Sequence, residues 1–374
     1  MERYDVCVQG GGIVGRTLAL ALSRHGLSVA LQEAEPAPAR GADVRTYALN
    51  AASVALLQSL RVWDALPAGA ATPVHDMHVM GDAAGAVLDF SAYAQRVREL
   101  AWIVDAGALE VELGNAVRFA PHVTRVAPGE PVPASLHAIA EGRASPSRDA
   151  LGIVVDRHDY GQTAIAARLV AGEPHRQRAL QWFRAPDVLA LLPFDRPEPG
   201  RSYGLVWSLP AARARELMAA EDADFERALN DATGGAGGGL ALTGARGAWP
   251  LAWARAERWC GDGWVLVGDA AHVVHPLAGQ GLNLGLGDVA ALTRLLAGRE
   301  PWRSPGDARL LRRYERERAV PTLAMGGLVD GLWQLFASPA PPLRELRNRG
   351  LTLVNHLAPL KRWLSARALD LPSH

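Results

Sequence analysis

Lysine is nearly missing from this chain: Lys361 is the only one in 374 residues, and arginine supplies the rest of the positive charge. With abundant alanine and glycine, this pattern reads as the coding bias of a GC-rich genome and carries no chemistry. Basic and acidic residues balance at 39 each, so no overall field would draw the chain to nucleic acid. Cysteine is scarce too. Cys7 and Cys260 stand in or beside apolar runs without CxxC or metal-ligand spacing, and they read as small buried hydrophobes. No apolar run approaches the roughly 20 residues that cross a bilayer, because Arg, Asp, Gly or Pro interrupts each one. Met1 lies too close to the first strand and glycine turn for a signal peptide, so the expected compartment is cytoplasmic and any membrane contact peripheral. Paired carboxylates for hydrolysis, a nucleophile triad and a His/Cys metal set are all absent at useful spacings.

What is present is an ordinary globular balance, 49% hydrophobic and 21% charged, in a length that suits two lobes. Apolar periodicity predicts a strand over Tyr4–Gln9, a helix over Ile13–His25 and a strand over Leu27–Gln32, a βαβ opening. A helix follows at Ala51–Leu60, then a strand, turn and strand between Val74 and Phe90. Four short strands, Thr163–Val170, Ala179–Phe183, Val188–Pro193 and Tyr203–Leu209, suit an antiparallel sheet, with helices at Ala211–Glu221 and Ala223–Thr233. The run Gly234–Gly239 reads as a flexible loop, Trp264–Val267 as another buried strand, and the chain from Leu282 onward as helical. The expected class is α/β, with a discontinuous Rossmann-like domain at 1–73, 94–160 and 255–300. An antiparallel β-sheet substrate domain at 74–93 and 161–254 and C-terminal helices at 301–374 complete it.

Gly10-Gly11-Gly12-Ile13-Val14-Gly15 sets GxGxxG between a strand and a helix, and Glu33 closes the second strand 23 residues after Gly10. Gly10 permits the tight turn, Gly12 lets a pyrophosphate approach the helix N-terminus, and Gly15 permits close helix-to-strand packing. Glu33 is placed to accept from a ribose hydroxyl. Either FAD or NAD would satisfy this much. A second run, Trp264 to Gly268-Asp269-Ala270-Ala271-His272, continues through Pro276 to Gly279-Gln280-Gly281-Leu282-Asn283-Leu284-Gly285. Here a strand ends in an acid and a glycine loop opens a helix. Asp269 is suited to a ribityl hydroxyl, and the amides of Gly281 to Asn283 to negative charge on a flavin.

At this run the chain closely resembles class A flavoprotein monooxygenases of the p-hydroxybenzoate hydroxylase fold, and within them the ubiquinone-biosynthesis hydroxylases. Further stretches share the resemblance, including Asp43-Val44-Arg45, Leu100-Ala101-Trp102-Ile103-Val104, Tyr160-Gly161-Gln162, Trp249-Pro250-Leu251 and Tyr314-Glu315-Arg316, so that it covers nearly the whole chain. The resemblance implies FAD as cofactor and extends the binding set to Ile13, Val14, Arg45, Val126, Pro276, Gly279 and Gln280. It implies NAD(P)H as electron donor and O2 as co-substrate, with a flavin C4a-hydroperoxide oxidising a polyprenylated phenol or quinone precursor. No catalytic side chain is assigned, and His272 and His275 read as packing and backbone support. Other ubiquinone-biosynthesis proteins and the inner face of the cell membrane are the partners it suggests.

Three departures stand out. Glu141 occupies the aspartate position of a motif associated with flavin and nicotinamide contact, here Ala140-Glu141-Gly142-Arg143-Ala144-Ser145 with Arg148. The segment from Val123 to Leu136 is short, as though a β-meander had lost a hairpin, and Ala106 stands where a polar flavin-side residue is usual. Two competing readings follow: a hydroxylase of a small soluble aromatic, and a flavin-binding accessory protein without turnover. Near the C-terminus, Leu346, Leu353, Leu357, Leu360 and Trp363 recur among Arg344, Arg347, Arg349, Lys361 and Arg362, a basic amphipathic pattern that suits either packing on the core or anionic lipid.

Overall fold

Strand β1 (Tyr4–Gln9), helix α1 (Ile13–Arg24) and strand β2 (Val29–Gln32) form the βαβ unit expected from the apolar pattern. The computed structural model describes residues 3–33, 43–81, 86–274, 280–320 and 322. β1 lies at the centre of a six-stranded sheet. It pairs in parallel with β2 on one side and with β9 (Ala134–Ile139) on the other. β8 (Val123–Val126) extends the sheet beyond β2; β16 (Trp264–Leu266) and β15 (Cys260–Gly261) extend it beyond β9. Val6, Cys7, Val8, Val29, Ala30 and Leu31 are all fully buried, as continuous apolar strands covered on both faces must be. Cys7 and Cys260 are free buried thiols. Residues 127–133 hold no strand, so β8 passes directly to β9 where a meander was expected to be cut short.

A three-stranded antiparallel sheet of β3 (Thr46–Leu49), β4 (Ala71–Val74) and β7 (Ala101–Asp105) leads away from this unit. Helix α2 (Ala51–Ser59) follows β3 directly, its N-terminus capped by Asn50, and α3 (Ala92–Gln95) is a single turn. α4 (Ala106–Arg118) is capped by Asp105, whose side chain accepts from the Ala108 amide. Ala106 is fully buried at its start. A short helix α5 (Pro146–Ala150) follows β9.

The largest sheet has eight strands: β17 (His272–Val273), β14 (Leu240–Ala256), β10 (Val155–Ala171), β13 (Ser202–Pro210), β12 (Asp187–Phe194), β11 (Arg178–Arg184), β5 (Asp76–Met80) and β6 (Val87–Ser91), in that order. It is antiparallel except where β11 meets β5. β10 and β14 are 17-residue strands. They run unbroken through positions 160–161 and 254–255, where the sequence pattern suggested boundaries. Along β10 and β13 side chains alternate as the pleat requires. Ile165, Ala167, Leu169, Leu205, Trp207 and Leu209 face a core closed by α6 (Ala211–Ala219) and α7 (Asp222–Thr233), with Phe225 and Leu229 against the sheet. The opposite set of residues faces a cavity. The Gly234–Gly239 run is not a loose connector: the Gly172 amide donates to the Gly239 carbonyl and the Glu173 amide to that of Gly237.

Helix α8 (Gln280–Ala297) packs on α1, and residues 308–320 form the last described helical stretch. The basic amphipathic segment around residues 343–364, Pro276, Gly279 and His275 lie outside the described residues. Among the described residues no helix is long and apolar enough to cross a membrane, and no cluster of His, Cys, Asp and Glu could hold a metal ion.

Candidate active site

The first glycine loop separates two demands, one from the protein and one from a ligand. Gly10 sits at φ 124°, and a Cβ there would run into the carbonyl of Ala140; a Cβ on Gly15 would strike the Gly10 carbonyl. Both glycines are required by the approach of β1, α1 and β9. Gly12 is different. A Cβ on it would meet no atom within 4 Å, so protein packing gives no reason for a glycine there. Gly12 is also the N-cap of α1, with no side-chain cap and no acid in the first turn. The open amides beside this vacant space fit the pyrophosphate of a dinucleotide. Ile13 and Val14 line the same cavity, and Val14 fills the gap between Gly268 and Gly285.

The second loop brings Asp269, Gly281 and Leu282 to the same cavity that Gly12 lines. Asp269 is an exposed side chain on the cavity wall, and the protein around it pushes its carboxyl above the ordinary value by desolvation, a cost that hydroxyl donors from a ribityl chain would offset. α8 begins at Gln280 with no acid in its first turn, and Gly281 leaves open space beside it. Asn283 has an architectural task. Its Oδ1 accepts from the Asn50 amide at 3.0 Å and the Ser53 hydroxyl at 2.7 Å, and its Nδ2 donates to the Ala48 carbonyl, which ties α8 to α2.

The residue that holds this loop was passed over in the sequence. Asp288 is completely buried on α8. Its Oδ2 accepts from the Gly268 amide at 3.0 Å and from His272 Nε2 at 2.7 Å, and its Oδ1 accepts from Arg318 Nε at 2.7 Å. Burial alone would raise this carboxyl, but His272 and Arg318 hold it below the usual range. His272 therefore orients the loop through Asp288 and stacks at a tilt on Trp259, 4.9 Å between ring centroids. The signal was available: Asp288 falls four residues after Leu284 and four before Leu292, an acid on an otherwise apolar helical stripe.

Three other charged candidates are already engaged. Glu33 is buried at the end of β2, with its carboxylate held by Arg16 at 3.0 Å and by Arg125. Val126, the last residue of β8, accepts the Glu33 amide through its carbonyl at 3.3 Å. Arg45 reaches the cavity and makes a two-pronged pair with Asp43, Nη2 to Oδ2 at 2.6 Å, which keeps it firmly protonated. Glu141 turns away from the cleft. It accepts from the Ser145 hydroxyl at 2.7 Å, the Ser147 amide at 3.0 Å and the Ser147 hydroxyl at 2.8 Å, so that its carboxylate caps α5. Arg148, also buried, donates to the carbonyl of Ala270 at 3.2 Å and braces the second glycine loop from behind.

These elements enclose one cavity of about 510 Å³. One end is the pair of glycine loops. The other is the free face of the large sheet, floored by Ala164, Ala166, Ala179 and Ala190 among Val188, Leu192 and Val206. Alanines on a strand face remove side-chain volume, and here they leave room for an apolar guest beside the cofactor end.

Residues 110–325 match the model of the FAD binding domain family, and residues 5–121 match that of FAD dependent oxidoreductases. The chain is 32% identical to ubiquinone hydroxylase UbiL of Rhodospirillum rubrum, over 98% of its length and 89% of that protein's. It is 33% identical to 3-demethoxyubiquinol 3-hydroxylase of Escherichia coli, over 98% of both chains. In fold it is similar to PqsL of Pseudomonas aeruginosa, a probable FAD-dependent monooxygenase, with a TM-score of 0.76 at 22% identity over 94% of this chain and 100% of that one. The cavity between two glycine loops and the match along the whole chain agree: the protein belongs to the ubiquinone-biosynthesis hydroxylase family of FAD-dependent monooxygenases.

Proposed function

We propose that this enzyme hydroxylates the ring of a polyprenylated phenol or quinone precursor on the way to ubiquinone, using NAD(P)H and O2. The observation that carries this reading is the single cavity that joins the dinucleotide end, at Gly12, Asp269 and Gly281, to an alanine-floored apolar sheet face. Bound FAD supplies the activation of O2 with electrons from NAD(P)H. The chain's own contribution is binding, orientation and exclusion of water. The Gly12–Val14 amides and the N-terminus of α8 would present positive dipole ends toward the cofactor, and Asp269 would accept from its hydroxyls. The large sheet holds the aromatic ring against the cofactor end and keeps it dry. In this reading the six-stranded sheet supplies cofactor contacts and the eight-stranded one substrate contacts.

A prenylated substrate resides in lipid, so we place the enzyme peripherally at the inner face of the membrane, in the company of other enzymes of the pathway. Co-sedimentation with anionic liposomes that weakens with salt is the expected behaviour. Metabolite profiling of a strain lacking the gene tests the main reading. A polyprenylated phenol one hydroxyl short should accumulate, and an unchanged quinone pool without such a precursor would refute it.

A further inference from the structure

The cavity face of the large sheet carries one hydroxyl with nothing to bond. Ser208 on β13 is 3% exposed and lines the cavity, and among the described residues its side chain makes no hydrogen bond. A buried hydroxyl is rarely left so, because the unmade bond costs free energy. Thr46 also lines the cavity and its hydroxyl is also unpaired, but that oxygen is buried away from solvent and lies against Gly204. The other unpaired polar groups on the wall, the Tyr47 hydroxyl and the Asp269 carboxylate, lie off the large sheet, on β3 and in the second glycine loop. Arg45 is tied to Asp43, Arg143 donates to the Pro250 carbonyl at 2.9 Å, and Gln181 is engaged by an interaction of its own.

The sheet register places Ser208 in the middle of a lateral row. Trp249 pairs with Ala164, Ala164 with Ser208, and Ser208 with Val188, and all four point into the cavity. With strands about 4.8 Å apart, Trp249 and Ser208 stand about 10 Å from each other across Ala164. The row thus has a flat indole on one side, a gap over a methyl group, a hydroxyl, and a branched aliphatic. The next row, Ala166, Val206 and Ala190, is apolar throughout.

We propose that Ser208 fixes the oxygen on the ring of the aromatic substrate, with the ring seated over Ala164 between Trp249 and Val188 and its apolar substituents along the Ala166–Val206–Ala190 row. This rests on the hydroxylase reading above. A serine hydroxyl both donates and accepts, so it suits a phenol and a quinone oxygen alike. Ser208 holds the ring in one rotational setting and thereby sets which carbon faces the cofactor end.

The test is isothermal titration of the FAD-loaded enzyme with two probes, a short-chain prenylphenol and the prenylbenzene that lacks its oxygen. The wild type should prefer the phenol by about tenfold, the effect of one buried hydrogen bond. Ser208→Ala should lose that preference while binding prenylbenzene as the wild type does, and Ser208→Thr, which keeps the hydroxyl, should retain it. With the phenol, Ser208→Ala should also release more hydrogen peroxide per NAD(P)H consumed, since a ring free to rotate is hydroxylated less often. If Ser208→Ala keeps the tenfold preference, Ser208 is not the anchor and the hydroxylase reading stands. If neither probe binds the wild type, the reading and this assignment fall together.

Discussion

Asp288→Asn isolates the contribution of the buried cluster behind the second glycine loop. In the wild type two carboxylate oxygens serve three donors, the Gly268 amide, His272 Nε2 and Arg318 Nε, at 2.7–3.0 Å with no solvent access. Asparagine keeps one acceptor oxygen and turns an NH2 toward donors that have no use for it. Removing one partner of a buried pair costs about 3–5 kcal/mol, and the retained oxygen places this variant near the lower end, about 3 kcal/mol. For a domain of roughly 10 kcal/mol stability, that lowers the urea midpoint by about a third at constant m. Flavin fluorescence should report cofactor release earlier still, because the Gly268 amide is the link from Asp288 to Asp269. The pH dependence has a defined sign. The folded-state carboxyl is held below its unfolded value, so its stabilisation is complete above about pH 4 and is lost as pH falls through the depressed folded value. The gap between wild type and Asp288→Asn should thus be constant from pH 5 to 8 and close in acid. Equal urea midpoints at pH 7, or a gap that persists unchanged into acid, would refute the role given to this cluster.

The parts of this structure that were legible in the sequence are those fixed by local constraint. GxGxxG between apolar runs specifies β1, α1 and β2, because only glycine fits at Gly10 and Gly15 whatever the rest of the chain does. The four central strands of the large sheet were readable from their spacing. Which face of that sheet meets the cofactor was not, since Ile165 and Ala166, or Leu191 and Leu192, are apolar on both sides and alternation alone cannot choose between them. The three-stranded sheet was missed because its partners, β3, β4 and β7, are joined by long-range pairing with no turn signal between them. Glu141 was singled out only by its place in a motif associated with flavin and nicotinamide contact. Ser145 and Pro146, a helix N-cap followed by proline at the first helical position, were the local sign that a carboxylate nearby would serve a helix end instead. The side-chain bridge of Asn283 to Asn50 and Ser53 spans more than 200 residues and has no sequence signature at all.

Two further perturbations separate cofactor contacts from architecture. Gly12→Ala should fold with wild-type stability yet lose FAD affinity, because its Cβ enters only ligand space, whereas Gly15→Ala should fail to fold or melt several degrees lower; thermal melts with and without FAD decide this, and a Gly12→Ala protein that keeps wild-type FAD affinity would sink the pyrophosphate assignment. Asp269→Ala and Glu141→Gln should behave as opposites. Glu141→Gln weakens a cap that accepts three hydrogen bonds, so it should lower stability by about 1 kcal/mol and leave FAD affinity close to wild type. Asp269 carries a carboxyl that desolvation pushes up, so its charged form opposes folding of the apoprotein; that penalty is absent in acid and grows as pH rises above the unfolded value of about 4. Removing the charge in Asp269→Ala should therefore leave the apoprotein at least as stable as wild type at pH 7. The same change deprives cofactor hydroxyls of their acceptor, at about 1–3 kcal/mol or roughly a 5- to 150-fold rise in Kd for FAD. Equilibrium dialysis of FAD and urea unfolding of the apoprotein measure the two effects separately. Loss of FAD by Glu141→Gln equal to that of Asp269→Ala would mean that Glu141 reaches the cofactor after all, and an Asp269→Ala apoprotein weaker than wild type at pH 7 would mean that the carboxylate serves the fold.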